Sequence, residues 1–172
     1  MIYLCDNYLT FVVQGEIFLF NVVLNAVESP CSSGWVHYGK SCYLVIDIPT
    51  LEWNDARRNC QKLGGDLVKI TSAAENQFIY DLILSQTKTT AMGAWLGLHR
   101  KEDNRFYWAD GAPLTGYTAW SPSEPNSPSS EECGNIFGPS DRRRGKWNDW
   151  VCSADKSQIT NAPVVLCQKN SK

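Results

Sequence analysis

Cysteine placement constrains this chain more than any other feature of its sequence. The seven cysteines are Cys5, Cys31, Cys42, Cys60, Cys133, Cys152 and Cys167. No two of them form a C-x-x-C pair, which disfavours zinc ribbons and thioredoxin-like redox motifs. Cysteines scattered singly through a chain of this size read as a disulfide framework, and such frameworks belong to oxidising compartments. Seven is odd, so one thiol must be lost, free or intermolecular. Cys5 is the outlier, because it lies outside the domain-like region. For the other six, spacing alone leaves the pairing open.

At 172 residues the chain is long enough for one domain with a real core. A hydrophobic fraction of 43% and a net charge of −2 indicate neither disorder nor a nucleic-acid partner. His37 and His99 lie far apart and share no motif, so a zinc enzyme is disfavoured.

Residues 1–27 differ in character from the rest of the chain. Phe11-Val12-Val13 and Ile17-Phe18-Leu19-Phe20 lead into Val22-Val23-Leu24, and Leu24 and Ala26 fit the −3 and −1 positions of a signal-peptidase site. The first ten residues lack Lys and Arg and include Asp6, whereas a signal peptide favours a positive start. We read 1–27 as a signal peptide or other non-domain segment, with secretion as the expectation and a membrane anchor as the alternative. Gln14, Glu16, Asn21 and Asn25 interrupt the apolar run, and such groups are costly at a bilayer centre. Cleavage would remove Cys5 and leave an even set of six.

The domain is expected over 31–168, with 169–172 as a tail. Gly34 to Tyr38 and Ser41 to Ile46 read as a hairpin about Gly39-Lys40. Thr50 to Leu63 reads as a helix with Trp53, Ala56, Cys60 and Leu63 on one face, stopped by Gly64-Gly65. Leu67 to Ile70 reads as a short strand. Ser72 to Glu75 is a capping box for a second helix with a Phe78, Ile79, Leu82, Ile83 stripe. Ala94 to Leu98, Arg105 to Trp108 and Val164 to Cys167 are further strands. Two helices followed only by strands point to an α+β fold.

The stretch from Trp120 to Trp150 concentrates oxygen ligands in a Pro- and Ser-rich loop: Glu124-Pro125-Asn126, Glu131-Glu132, and Trp147-Asn148-Asp149. A long loop without secondary structure needs a reason to be ordered. Hard oxygen donors suit Ca²⁺, which takes about 6–8 oxygens at roughly 2.3–2.6 Å.

Taken in order, the cysteine hairpin, the helix with Cys60, the second helix, Trp95-Leu96-Gly97-Leu98, Glu124-Pro125-Asn126 and Trp147-Asn148-Asp149 with Cys152 after it resemble the C-type lectin domain, in the long form with an extra N-terminal disulfide. The resemblance covers roughly Cys31 to Gln168. It implies a C-type lectin-like fold, with two helices packed on antiparallel strands and a long calcium-binding loop. It also implies the disulfides Cys31–Cys42, Cys60–Cys167 and Cys133–Cys152. By it, Glu124, Asn126, Glu131, Asn148 and Asp149 hold Ca²⁺ and, with it, two vicinal sugar hydroxyls. Pro125 turns its neighbours toward one ion through a cis bond, and cis bonds are largely confined to X-Pro. The E-P-N form implies mannose-type sugars with equatorial 3- and 4-hydroxyls (mannose, N-acetylglucosamine, fucose, glucose), with galactose the poorer ligand.

For an auxiliary Ca²⁺ site, Arg100 and Ser127 fall near two of the family's positions, which leaves Asp103 and Glu132 as candidates. Asp141-Arg142-Arg143-Arg144-Gly145-Lys146 is strongly basic. It reads first as a solvated surface turn. The alternative is contact with anionic or sulfated glycans, whose oxyanions match guanidinium forks. Glu131 and Glu132 as a glycosidase pair are disfavoured, since neighbouring extended residues point apart; no enzyme activity is expected.

The expected function is a secreted Ca²⁺-dependent lectin for glycan or microbe recognition in innate immunity. Membranes would be met only through cell-surface glycans, and a homo-oligomer would supply avidity. A protein-interaction or structural module on the same fold, without sugar binding, is the second hypothesis.

Overall fold

The computed structural model describes residues 2–5, 8–13, 16–21, 29–87 and 92–172. Strands β1 (Ile2–Cys5), β2 (Tyr8–Val13) and β3 (Glu16–Asn21) form an antiparallel sheet in the order β1-β2-β3. Leu24 and Ala26, the expected cleavage positions, lie outside the described residues. The elements after them are β4 (Val36–Tyr38), β5 (Ser41–Ile46), α1 (Trp53–Lys62), β6 (Asp66–Leu67), α2 (Ala73–Gln86), β7 (Ala94–Arg100), β8 (Phe106–Trp108), β9 (Cys133–Ile136), β10 (Trp147–Trp150) and β11 (Val165–Asn170). Among the described residues, no helix is long and apolar enough to cross a membrane.

Two four-stranded sheets carry the domain, in the orders β4-β5-β11-β6 and β10-β9-β7-β8. Their ladders are antiparallel throughout. The fold is thus α+β, with both helices packed on antiparallel strands. The Gly97 amide donates to the Val68 carbonyl at 2.8 Å, which ties β7 to the chain just after β6. A Cβ at Gly97 would lie 3.0 Å from the Leu67 carbonyl oxygen and 3.1 Å from that of Val68. Glycine in Trp95-Leu96-Gly97-Leu98 therefore lets the two backbones approach.

Helix α1 buries Trp53, Ala56 and Cys60. It starts at Trp53 rather than Thr50, because the Thr50 backbone is used elsewhere. The Thr50 amide donates to Pro163, and the Thr50 carbonyl accepts the Trp95 indole N–H at 2.8 Å. Leu63, expected on the buried face, is the C-cap residue and is 43% exposed. Helix α2 is capped by Ser72, whose hydroxyl accepts the Glu75 amide at 3.1 Å. The capping box is half formed. The Glu75 carboxylate accepts the Thr71 amide at 2.7 Å and the Tyr43 hydroxyl at 2.6 Å. The helix thereby docks on β5. Ile79, Leu82 and Ile83 are buried as expected, and Phe78 packs half-buried beside them.

Three disulfides form: Cys31–Cys42, Cys60–Cys167 and Cys133–Cys152. The second spans 107 residues and joins α1 to β11. The third joins β9 to the chain just past β10.

The stretch from Trp120 to Trp150 differs from its expectation as one irregular loop. It contains β9 and β10, paired Asn148 to Asn135 and Asp149 to Gly134. Every residue of the two strands is buried except Trp150, which is half-buried. A strand buried on both faces shows no alternation to read. The irregular chain is confined to the segment before β9 and the turn between β9 and β10.

Candidate functional site

Strand β10 supplies the floor of the site. Asp149 is fully buried and Asn148 is 7% exposed. A buried carboxylate needs charge or hydrogen-bond partners. Asp149 has both. Its Oδ1 accepts the Asn126 amide at 3.1 Å, and its Oδ2 accepts the Ser127 amide at 3.4 Å. The Arg100 Nη2 lies 3.2 Å from the same Oδ2. These contacts draw the Glu124–Ser127 segment down onto β10, so that residues 22 and 23 positions apart become neighbours. The Glu124-Pro125 peptide bond is cis.

Asn148 holds a defined orientation. Its amide nitrogen donates to Asn135 Oδ1 at 3.1 Å and to the Asp149 carbonyl at 2.6 Å. Both donors are thereby committed, and the Asn148 Oδ1 is left as the acceptor. Asn126 is exposed, and its Oδ1 accepts the Ser127 hydroxyl at 2.6 Å. Asn126 keeps an NH₂ that can donate. Glu131 is half-buried, and its amide donates to the Ser127 carbonyl at 2.8 Å, which closes the segment back on itself.

Carboxylates crowd this site. The Glu124 side chain is 7% exposed, and its Oε2 is buried without a hydrogen-bond partner. Burial pushes its pKa up to about 7, helped by the adjacent Asp149 carboxylate and by Glu131. Arg143, 3.8 Å away, acts in the opposite direction. Glu131 is also raised, by burial first and then by the charge of Asp149. Like charges this close favour protonation or a cation between them. Hard carboxylate and amide oxygens are the donors that Ca²⁺ takes, although the carboxylate oxygens of Glu124, Glu131 and Asp149 do not all come within 4.8 Å of one another in this arrangement. Glu124, Asn126, Glu131, Asn148 and Asp149 are the residues that would hold it.

The two auxiliary candidates are placed differently. Asp103 and Glu132 line one shallow depression, but Arg100 and Lys101 line it too. Asp103 Oδ2 accepts the Tyr107 hydroxyl at 2.7 Å and its Oδ1 accepts the Arg105 amide at 3.1 Å. The Tyr107 hydroxyl, before any other cause, holds the Asp103 carboxyl below its usual range. Glu132 is exposed, and its carbonyl accepts the Arg100 amide. His99 stands beside Cys133 and Cys152, but those sulfurs are joined in a disulfide and offer no thiolate to a metal.

Arg100 and Asn135 were not visible as site residues. Arg100 is 8% exposed, stacks 4.3 Å over Phe106 and donates to Asn104 Oδ1 at 3.2 Å. It is the internal cation that accompanies the buried Asp149. Its sequence separation of 49 from Asp149 leaves no local pattern to read. The only signal is a basic residue at the end of an otherwise buried strand. Trp147 supports β10 from below, with its indole N–H donating to Asn76 Oδ1 at 2.7 Å. Trp95, Trp108 and Trp147 are core residues, while Trp120 and Trp150 pack half-buried against the core.

The family model of the lectin C-type domain matches residues 50–159. A perlucin-like protein of Mytilus galloprovincialis is 31% identical over 153 residues, which covers 86% of this chain and 95% of that protein. Among solved structures, the cow C-type carbohydrate-recognition domain of CD23, in the presence of GlcNAc2Man3 oligosaccharide, aligns with a TM-score of 0.65 at 29% identity, covering 83% of this chain and 97% of that one. A calcium-independent type II antifreeze protein aligns with a TM-score of 0.65 at 27% identity, covering 83% and 95% respectively. The chain belongs to the C-type lectin domain family, a family of non-enzymatic domains.

Proposed function

We propose that the chain is a secreted, Ca²⁺-dependent lectin for mannose-type glycans. The observation that carries this reading is the buried Glu124 carboxylate, set against Asp149 and near enough to Glu131 to feel its charge, with no hydrogen-bond donor on its Oε2. Without a cation, so many acidic oxygens in one place are mutually destabilising. Bound Ca²⁺ would supply the positive charge and the open coordination positions for two vicinal sugar hydroxyls. The protein's part is orientation. Glu124 and Glu131 only accept hydrogen bonds, while the exposed Asn126 amide donates. That ordered set of acceptors and a donor suits equatorial 3- and 4-hydroxyls, as in mannose, N-acetylglucosamine, fucose and glucose. The cow CD23 domain, solved in the presence of a mannose-containing oligosaccharide, supports the same class of ligand.

A single shallow site binds one sugar weakly, so microbial or cell-surface glycans would be engaged through clustered ligands or a homo-oligomer. Residues 1–27 would direct secretion, with membrane anchoring as the alternative. The second reading is an interaction or structural module without sugar binding. Its support is the ion pair of Arg100 with Asp149, which partly neutralises the site, together with the calcium-independent antifreeze protein of like fold. Glycan-array profiling in calcium and in EDTA separates the two. Calcium-dependent signal on mannose-type glycans is expected. A blank array in calcium would remove the lectin reading.

A further inference from the structure

The turn between β9 and β10 holds a second feature beside the carboxylate cluster. Ser121, Pro122, Arg142, Arg143 and Lys146 line one surface depression. Ser121 is 2% exposed, and its Oγ is buried without a hydrogen-bond partner. A buried hydroxyl left unpaired by the protein's own groups is free to take a further partner, because desolvating it without one is costly. Its backbone is fully engaged, since its amide donates to Trp147 and its carbonyl accepts the Glu124 amide. The Cα of Ser121 is thereby fixed beside the depression.

Three cations line the depression with that hydroxyl. Arg143 is fixed: its guanidinium reaches both Asp141 oxygens at 3.0 Å and stacks 3.8 Å over Phe137. Asp141 also neutralises much of its charge. Arg142 and Lys146 are exposed and make no ion pair among the described residues. Neither is held by a carboxylate, although Arg142 still acts on Asp141 through its charge. Arg143 also lies 3.8 Å from Glu124, so the depression borders the carboxylate cluster directly.

We propose that this depression is a second binding site, which takes the sulfate ester or carboxylate of an anionic sugar through Arg142, Lys146 and the Ser121 hydroxyl. The proposal rests on the lectin reading for the way the sugar ring is held, but the oxyanion contact is independent of calcium. Guanidinium and ammonium donors match the oxygens of such groups, and a hydroxyl completes the set. Occupancy by an oxyanion would give Ser121 the partner it lacks. The contact is partly exposed, so it weakens with salt.

The test compares N-acetylglucosamine with its 6-sulfate, and glucose with glucuronic acid, by competition in calcium at low and high ionic strength. A preference for the charged sugars of about fivefold is expected at low salt, the scale of one exposed charge-assisted contact. In an Arg142→Ser, Lys146→Ser variant that preference should fall to near parity, with binding of neutral N-acetylglucosamine unchanged. Ser121→Ala should reduce it in part without unfolding the domain. Equal affinity of the wild type for charged and neutral sugars, or a preference that survives the double variant, would overturn the proposal. If neutral sugars fail to bind in calcium, the lectin reading falls. Amide chemical shifts on adding N-acetylglucosamine 6-sulfate in EDTA then decide this one. Shifts at Ser121 and 142–146 support the site, and their absence removes it.

Discussion

At the scale of single residues, Asp149 and Arg100 define the site. Asp149 is wholly buried and Arg100 nearly so, and each answers the other's charge. Removing one member of such a pair leaves an uncompensated buried charge, which costs about 3–5 kcal/mol. Arg100→Ala should therefore lower unfolding free energy by that order, read by chemical denaturation. The loss should be larger in EDTA than in calcium, because a bound cation would replace part of the missing positive charge. Equal losses in both would show that Arg100 and the ion do not share Asp149. On the proposed lectin reading, specificity would lie with Glu124, which only accepts, and with the exposed Asn126, which can also donate. Glu124→Gln with Asn126→Asp exchanges acceptor and donor across the cis proline. That double variant should move preference from mannose toward galactose, as measured by competition with the free sugars. Retained mannose preference would show that hydroxyl orientation is read elsewhere.

At the scale of elements, the site joins a rigid part to a loosely held one. Strands β9 and β10 are paired, disulfide-linked through Cys133–Cys152 and rooted by Trp147. From the anchored Ser121 onward, the 122–132 segment lies on them through a few backbone bonds, of which those from the Asn126 and Ser127 amides end on Asp149. Few buried apolar contacts and exposed hydrogen bonds mark a segment that opens locally. Amide hydrogen exchange in EDTA should therefore quicken across 122–132, while β9 and β10 keep their protection. Uniform change across all three would mean that the site and core unfold together.

The same contrast between local and long-range contacts governs what could be read from the residues alone. Helix α2, the β4–β5 hairpin and β7 follow from capping, turn and apolar patterns, and the acids of the site stood out by composition. Strands β9 and β10 were hidden because burial on both faces erases alternation. The start of α1 moved because Thr50 bonds to a tryptophan 45 positions away. The Arg100–Asp149 pair was hidden for the same reason, since long-range partners leave no local trace.

At the scale of the whole molecule, the disulfides close loops of very different size. Cys60–Cys167 encloses a separation of 107 residues and Cys31–Cys42 one of 11. By loop-closure entropy the first constrains the unfolded chain by about 5 kcal/mol and the second by about 3 kcal/mol. Paired alanine substitution should therefore cost more stability at the first than at the second. Loss of Cys31–Cys42 should leave sugar binding intact, because that bridge lies on the β4–β5 hairpin, away from the site residues. Equal costs, or loss of binding without Cys31–Cys42, would contradict that division of roles. Whether the carboxylate cluster binds sugar hydroxyls through calcium is decided by retention on immobilised mannose. The chain should be held in calcium and released by EDTA, and an Asp149→Asn variant should pass through. Passage of the wild type in calcium, or retention that persists in EDTA, would contradict calcium-mediated binding at this site.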